Sequence, residues 1–309
     1  MASAVAAIDC GTNSTRLLVV DAQGRSVERL MRITRLGEGV DASGLLSDAA
    51  LGRCYAVLEE YREVMDRHGV ERSRLAATSA ARDAANGSTF LERAAEITGA
   101  QAEVIPGGEE ARLSHLGATS GLAAVPGDDV VIDIGGGSTE LALARDGEVR
   151  GWSMQVGCVR ATERWLTGDP PQSGQLEAAR EGIRGMLTEA AERLPELLHL
   201  RDGSRLVGLA GSVSTLAQLD GGIAQYRFEE VHLRNLTFEA VASWTDRLAG
   251  MGIAERSALP GMVPGREDVI LGGALVLTEA MAFLGFDRCL VSEHDILDGI
   301  AADLLARSA

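Results

Sequence analysis

The chain has 309 residues, of which 46% are apolar and 24% charged, and its formal net charge is −16. This composition predicts a globular protein with a sizeable core, and the length suggests two domains. The negative charge argues against broad binding to DNA or to anionic membranes, because both need a basic surface. A polyanionic substrate would therefore need local donors, namely backbone amides, a few arginines and a metal ion.

The sequence contains no apolar run approaching the roughly 20 residues of a membrane span, and its N-terminus lacks the pattern of a secretory signal. We therefore expect a cytoplasmic protein. The four cysteines are far apart in sequence and form no Cys-x-x-Cys pair. Neither a structural zinc site nor a disulfide framework is indicated.

Strands and helices alternate along the first part of the chain. A short apolar run on each side of a glycine-containing turn predicts an N-terminal β-hairpin. Ser47 is the predicted N-cap of the first long helix, whose apolar residues recur at helical spacing. The predicted elements are strands 5–8, 17–20 and 27–33, helix 47–68, strand 75–78, helix 89–97 and strand 102–105.

The hairpin is repeated later in the chain. Ile8–Leu17 and Ile132–Leu141 agree at six of ten positions when they are aligned at an offset of 124. Apolar runs flank the second turn as they flank the first, so a second hairpin is predicted. The later predicted elements are strands to about 156, helix 173–198, strand 206–209, several further helices and a final helix 295–306.

Mixed strands and helices in each half predict an α/β protein. Small residues cluster with a proline at 121–128, so we place one domain at 1–124 and the other at 125–309. The final helix has two possible positions, on its own domain or back on the first. Two like domains facing each other would place their turns on opposite walls of one cleft, where a phosphate could be held from two sides.

The second turn, Asp133–Glu140, has the residue types of a phosphate site. Its three consecutive glycines permit unusual backbone angles and let amides approach a ligand closely. Ser138 and Thr139 add hydroxyl donors, and the carboxylates at both ends suit a hard cation such as Mg²⁺. Neither turn is a P-loop or a Rossmann fingerprint, because each leads into a strand instead of a helix. The plain alternative is a glycine-rich hairpin with ordinary flanking carboxylates.

Five segments of the chain match the motifs of one known family: Asp9–Ser14, Ala77–Arg82, Gly107–Leu113, Asp133–Glu140 and Gly208–Ser212. Through them, the chain resembles the exopolyphosphatase/guanosine-pentaphosphatase family, a branch of the actin, Hsp70 and sugar-kinase superfamily. The resemblance implies two actin-like (ribonuclease H-like) domains flanking a central cleft, and Mg²⁺-dependent phosphohydrolase activity.

The resemblance also implies roles for individual residues. Glu110 would orient and deprotonate the attacking water, with Glu109 the less favoured candidate. Mg²⁺, or Mn²⁺ in its place, would be held by Asp133 and Glu140 with help from Asp9. The residues implied in phosphate binding are Thr12, Asn13, Ser14, Arg82, Gly135, Gly136, Gly137, Ser138, Gly211 and Ser212.

Each of these segments has an ordinary structural alternative. Glu109 and Glu110 could be the solvated first turn of a helix, where acidic residues favour the helix dipole. Arg82 could be a surface residue at a helix start, and Gly208–Ser212 a strand-to-helix turn. Cys10 lies within the first phosphate turn, but no histidine is near it in sequence and we assign it a packing role.

We expect hydrolysis of the terminal phosphoanhydride of inorganic polyphosphate. Longer family members carry an additional helical region after the actin-like domains, so short chains are the expected substrates. Removal of the 5′ phosphate of guanosine pentaphosphate is the nearest alternative, and a kinase activity lacks a dedicated signature. A polyphosphate- or alarmone-binding sensor with little turnover is the alternative from another class, and an actin-type filament protein is the least favoured. A homodimer is left open.

Overall fold

The computed structural model describes residues 4–306. These residues form two compact units, the first made of residues 4–117 and 295–306, the second of residues 118–294. The division lies at 117/118 where the sequence suggested 124/125. The final helix, whose position the sequence left open, belongs to the first unit.

The strands are β1 (Ala4–Cys10), β2 (Ser14–Val20), β3 (Ser26–Ile33), β4 (Val70–Ala77), β5 (Gln101–Val104), β6 (Asp129–Ile134), β7 (Thr139–Arg145), β8 (Glu148–Met154), β9 (Arg205–Leu209), β10 (Asn235–Thr237) and β11 (Arg288–Val291).

The helices are α1 (Val40–Ser43), α2 (Asp48–Arg67), α3 (Ser79–Asp83), α4 (Gly87–Thr98), α5 (Gly107–Thr119), α6 (Cys158–Trp165), α7 (Ser173–Arg193), α8 (Gly211–Gly221), α9 (Phe228–Val231), α10 (Phe238–Ala249), α11 (Ile253–Ser257), α12 (Ile270–Leu284) and α13 (Ile296–Ala306). A short 3₁₀ helix, Pro195–Leu198, follows α7. The predicted single helix 173–198 is thus two helices, because Pro195 has no N–H with which to continue the α-helical ladder. Ser47 caps α2 as predicted, accepting a hydrogen bond from the Ala50 amide at 3.3 Å.

The first unit is built on a five-stranded sheet of order β3-β2-β1-β4-β5. The β1–β2 and β2–β3 pairs are antiparallel, whereas β4 and β5 extend the sheet in parallel. Side chains alternate between the two faces of a strand. Ala6 and Ile8 of β1 therefore join one core with α2 and α4, and Val5 and Ala7 join another with α13.

Helix α13 packs on the sheet of the first unit and on α5. Two glycines allow the helix backbones to approach closely: a Cβ on Gly117 would lie 1.8 Å from the Asp295 carbonyl oxygen, and one on Gly299 would lie 2.1 Å from that of Leu113. Arg112 also donates to Asp303 at 2.7 Å. Apolar burial, close backbone approach and an ion pair together explain why this segment returns to the first unit.

The second unit has a six-stranded sheet of order β10-β11-β9-β6-β7-β8. Its β6–β9 part repeats the pattern of the first sheet, with two antiparallel pairs on one side of β6 and a parallel neighbour on the other. One face carries the large core with α7 and α12. The predicted α/β class and the repeated hairpin are confirmed. No helix within residues 4–306 is both long and apolar enough to cross a membrane.

Candidate active site

The turn between β1 and β2 is held from one side by the segment after β3. The Gly37 amide donates to the Thr12 carbonyl at 2.8 Å, and the amides of Thr34 and Arg35 donate to the Asn13 carbonyl at 3.1 and 2.9 Å. In a trans peptide, the C=O of one residue and the N–H of the next point in opposite directions. The Asn13 N–H therefore points away from the segment that holds the turn, as a phosphate-binding amide requires.

Thr12 and Ser14 contribute differently to this turn. The Thr12 hydroxyl is buried and has no hydrogen-bond partner in the structure. An unpaired buried hydroxyl is unfavourable, so its presence beside a turn of this kind fits a donor that meets a ligand oxygen. Ser14 accepts the Gly11 amide through its carbonyl at 3.0 Å, which closes the turn at the start of β2.

Asp9, at the end of β1, is paired with an arginine. It lies opposite Arg16 in the β1–β2 register. Arg16 donates to the Asp9 Oδ2 atom from Nε at 2.9 Å and from Nη2 at 2.7 Å, and from Nη1 to Asp295 at 2.5 Å. Burial raises the pKa of Asp9, although Arg16 acts in the opposite direction. A guanidinium thus already supplies the positive charge beside Asp9, and this geometry does not favour Asp9 as a metal ligand.

Arg82 and Glu110, which are 28 residues apart, meet in the first unit. Arg82 Nη1 donates to Glu110 Oε2 and to the Ile105 carbonyl oxygen, both at 3.0 Å. Glu110 is only 7% exposed, so it is not part of a solvated helix surface. Arg82 Nη2 is buried and has no partner in the structure. A guanidinium with one such donor remains able to bind an anionic oxygen.

Glu109, the neighbour of Glu110, belongs to a different cluster. It accepts two hydrogen bonds from Arg112, at 2.8 and 2.9 Å, and a longer one from Arg74 at 3.4 Å. The hydrogen bond from Arg112 lowers the pKa of Glu109, partly opposed by burial. These contacts connect α5 with β4, and Arg112 continues them to Asp303 of α13. The structure therefore separates the two glutamates, giving Glu109 a structural partner and Glu110 the contact with Arg82.

The glycine turn between β6 and β7 is held in the same way as the first turn. The amide of Cys158 donates to the Gly135 carbonyl at 2.9 Å, and those of Val159 and Arg160 donate to the Gly136 carbonyl at 2.9 and 3.1 Å. The first turn of α6 therefore takes the two carbonyls. The N–H groups of Gly136 and Gly137 consequently point away from α6. Ser138, which is buried and directly precedes β7, completes the turn.

Asp133 and Glu140 face each other across the second hairpin. They are register partners in the antiparallel β6–β7 pair, so their side chains lie on the same face, with Cβ atoms about 5 Å apart. Both are buried, at 5% and 1% exposure. Like charges directly opposite each other destabilise a sheet. A cation beside them would remove this cost.

These two carboxylates fit Mg²⁺, which binds through one or two carboxylates and keeps several waters or phosphate oxygens. No group of three or more His, Cys, Asp or Glu residues suited to a metal occurs among residues 4–306.

The sequence predicts Thr139 as a hydroxyl donor of this turn, but its side chain lies on the core face of the sheet. Successive strand residues point to opposite faces, and Thr139 is the register partner of Ile134, which belongs to the large core. Its hydroxyl lies on the face opposite to Glu140. Cys10 likewise points into the core of the first unit, where its hydrogen bond with Cys54, together with burial, holds the thiol pKa well above its usual range.

The third glycine segment follows β9 at the start of α8. Ala210 has a φ of 70°, which places the sharp bend just before Gly211. A Cβ on Gly211 would lie 1.1 Å from Arg266 Nη1, so this guanidinium lies directly on the glycine. Ser212 is buried against α12, where a Cβ on Gly273 would lie 2.1 Å from its hydroxyl. No sequence motif indicates Arg266, because a lone arginine in a loop after Pro264 carries no pattern of its own.

The fold, with its two sheets and repeated hairpins, defines an actin-like α/β protein. The family model described as the Ppx/GppA phosphatase family matches residues 18–308. The chain belongs to the Ppx/GppA phosphatase family, as its sequence motifs predict, and so to a family of hydrolases.

Relatives cover nearly the whole chain. A Mycobacterium tuberculosis protein named Exopolyphosphatase 2 is 43% identical over 97% of this chain and 98% of its own length. A solved structure described as an exopolyphosphatase-like protein is 36% identical and has a TM-score of 0.91, covering 99% of this chain and 100% of that one. The Aquifex aeolicus member of the Ppx/GppA family is 29% identical over the full length of both chains, with a TM-score of 0.82.

Proposed function

We propose that the protein is an exopolyphosphatase that hydrolyses the terminal phosphoanhydride of inorganic polyphosphate. The observation that carries this proposal is the Asp133–Glu140 pair beside a glycine turn whose amides point away from α6. Phosphoryl transfer depends mainly on positioning and on neutralising the oxygens of the transferred group, and these parts suit that task. The choice of polyphosphate is supported by the relative named Exopolyphosphatase 2.

Asp133 and Glu140 would hold Mg²⁺, with Mn²⁺ as a substitute, and the bound cation would neutralise charge on the phosphoryl oxygens. The amides of Gly136, Gly137 and Asn13 would donate to such oxygens. The unpaired Thr12 hydroxyl and Arg82 Nη2 would add two further donors. The net charge of −16 explains why local donors are needed, because the protein as a whole repels a polyanion.

Glu110 would act as the general base. Its carboxylate would accept a proton from water as the water oxygen bonds to the terminal phosphorus, and the bond to the bridging oxygen would break with its electrons leaving on the shortened chain. The hydrogen bond from Arg82 at 3.0 Å orients the Glu110 carboxylate. Loss of a positioned base typically costs about 100- to 10,000-fold in rate.

Phosphate release by the full chain tests the proposal. The substrates are polyphosphates of graded length and guanosine pentaphosphate, each assayed with Mg²⁺ and with EDTA. We expect Mg²⁺-dependent release from polyphosphate that falls at least about 100-fold in Glu110→Gln. Glu109→Gln is the matched control, one residue away on the same helix turn. It should keep most of the rate and lower the unfolding temperature, because it weakens the Arg112 contact.

The same assay distinguishes the alternatives. Faster release from guanosine pentaphosphate than from any polyphosphate would make the nucleotide the substrate, and rates rising steadily with chain length would contradict the expected preference for short chains. Tight binding of polyphosphate with no turnover would identify a sensor. Equal loss in Glu109→Gln and Glu110→Gln would contradict the assignment of Glu110 alone.

A further inference from the structure

A serine of β8 contacts one of the two opposed carboxylates. Ser153 is the register partner of Glu140 in the β7–β8 pair, and its hydroxyl donates to Glu140 Oε1 at 2.5 Å. Asp133, Glu140 and Ser153 therefore form one row across three adjacent strands, with their side chains on one face of the sheet.

The Ser153 hydroxyl restricts the terminal side-chain torsion of Glu140, which the strand backbone leaves unrestricted. The terminal torsion of a glutamate side chain is broad and has no sharply preferred angle, so the strand alone does not orient the carboxylate plane. A hydroxyl that donates to an ionised carboxylate forms a short, strong hydrogen bond and selects one orientation. Partners of this kind typically change the affinity of a metal site by 10- to 100-fold.

The equivalent row in the first hairpin differs at this position. There, Asp9 is opposite Arg16, and Arg16 is opposite Met31 of β3. Methionine offers no donor, and none is needed where a guanidinium already neutralises the aspartate. A hydroxyl therefore occurs in the row that contains two carboxylates, and an apolar side chain occurs in the row that contains an ion pair.

We propose that Ser153 is a positioning residue for the cation site, because it holds the Glu140 carboxylate in the orientation that binds the metal. This inference rests on the proposed function, since it assumes that Asp133 and Glu140 bind the cation. Ser153 acts through Glu140 and contacts no substrate.

Mn²⁺ alone, added to the full chain without substrate, is the probe, and the free ion is measured by its paramagnetic resonance signal. We expect the Mn²⁺ dissociation constant to rise about 10-fold in Ser153→Ala, which lacks the hydroxyl. In Ser153→Thr, which keeps a hydroxyl, the dissociation constant should stay close to the wild-type value. In the activity assay, Ser153→Ala should need about 10-fold more Mg²⁺ for half-activation, with kcat restored at saturating Mg²⁺.

Two further variants make the outcome specific. Ser204→Ala is the matched control, because the Ser204 hydroxyl bonds to the Asp128 amide and the Arg201 carbonyl of the same unit, away from the carboxylate row. It should lower the unfolding temperature without changing Mn²⁺ affinity. Glu140→Gln should abolish Mn²⁺ binding. If Ser153→Ala binds Mn²⁺ as tightly as the wild type while Glu140→Gln does not bind it, the role of Ser153 alone is overturned. If the wild type and Glu140→Gln bind Mn²⁺ equally well, or if neither binds it, the cation site itself is overturned.

Discussion

The two hairpins have the same backbone arrangement but differ in the charge of the residue opposite their aspartate. Each begins with an aspartate at the end of a strand, Asp9 or Asp133, and each turn has its carbonyls taken by a neighbouring segment. The residue opposite the aspartate is Arg16 in the first hairpin and Glu140 in the second. One row is therefore an internal ion pair, and the other places two carboxylates side by side.

The two rows differ in the contacts that they make. Arg16 bridges Asp9 and Asp295, so the first hairpin uses its charge to tie β1 to the segment that leads into α13. In the second hairpin, the residue opposite the aspartate is itself a buried carboxylate. The same backbone thus supports a structural ion pair in one unit and a candidate cation site in the other.

Making the second hairpin like the first should have the largest effect. Glu140→Arg would place a guanidinium opposite Asp133, as Arg16 stands opposite Asp9. We expect Mg²⁺-dependent phosphate release to fall at least about 1,000-fold, since the cation's contribution of several kcal/mol is lost. Circular dichroism should show a folded protein. Substantial release by a folded variant would contradict the cation site.

Breaking the first hairpin's ion pair should mainly reduce stability. Arg16→Met leaves Asp9 and Asp295 without their shared partner, and removing one member of a buried pair costs about 3 kcal/mol. Urea titration measures the free energy of unfolding. Arg25→Met is the matched control, because Arg25 pairs with Asp21 while 77% exposed and its loss should reduce stability much less. Equal costs would show that Arg16 does not hold a buried pair.

A smaller effect is expected from adding a side chain at Gly157, which packs against the glycine turn between β6 and β7. A Cβ on Gly157 would lie 2.5 Å from the Gly135 carbonyl oxygen, so Gly157→Ala must shift the turn or α6. We expect a loss of about 2 kcal/mol, within the usual range for overpacking, and a lower rate of phosphate release. Gly185→Ala, in the open interior of α7, should instead raise stability by about 0.5 to 1 kcal/mol. Thermal unfolding of both variants measures the contrast.

The smallest effect is expected from replacing one threonine in each hairpin, Thr12 in the first and Thr139 in the second. Thr12→Val removes a buried hydroxyl without a partner, so stability should hold or rise slightly while phosphate release falls about 10-fold, the value of one hydrogen bond near 1.4 kcal/mol. Thr139→Val removes another such hydroxyl, but from the core face. Its rate should fall much less. Similar losses of rate would contradict the placement of Thr139 away from the site.

Several features of the fold were predictable because neighbours along the chain determine them. Apolar alternation and glycine turns indicated both hairpins, and helical spacing with a serine cap indicated α2 to within one residue at each end. The extent of α7 was not predicted correctly, since Pro195 ends the α-helix before the 3₁₀ helix begins. The position of α13 depended on contacts with α5 that no local pattern describes.

The candidate site was predictable in its residue types and less so in its pairings. Glycines, hydroxyls and carboxylates at fixed offsets indicated phosphate chemistry, and the family they suggested is confirmed. The family resemblance favoured Glu110 over Glu109, but the residue types alone did not distinguish them, because both are glutamates in the first turn of one helix. The guanidinium of Arg266 lies against Gly211, although the two residues are 55 positions apart in sequence. The position of Arg266 depends on the packing of a loop whose sequence has no regular pattern.

The α/β class, the duplicated hairpins and the family could be inferred from the residues alone, because strand alternation, turn sterics and motif spacing are local properties. The folded chain determines which carboxylates lie beside an arginine and which lie opposite another carboxylate. Arg16 reaches Asp295 across 279 residues, and Arg112 reaches Asp303 across 191. The energy of a charge depends on the partners and the burial that folding brings to it, and these are set by contacts between distant parts of the chain.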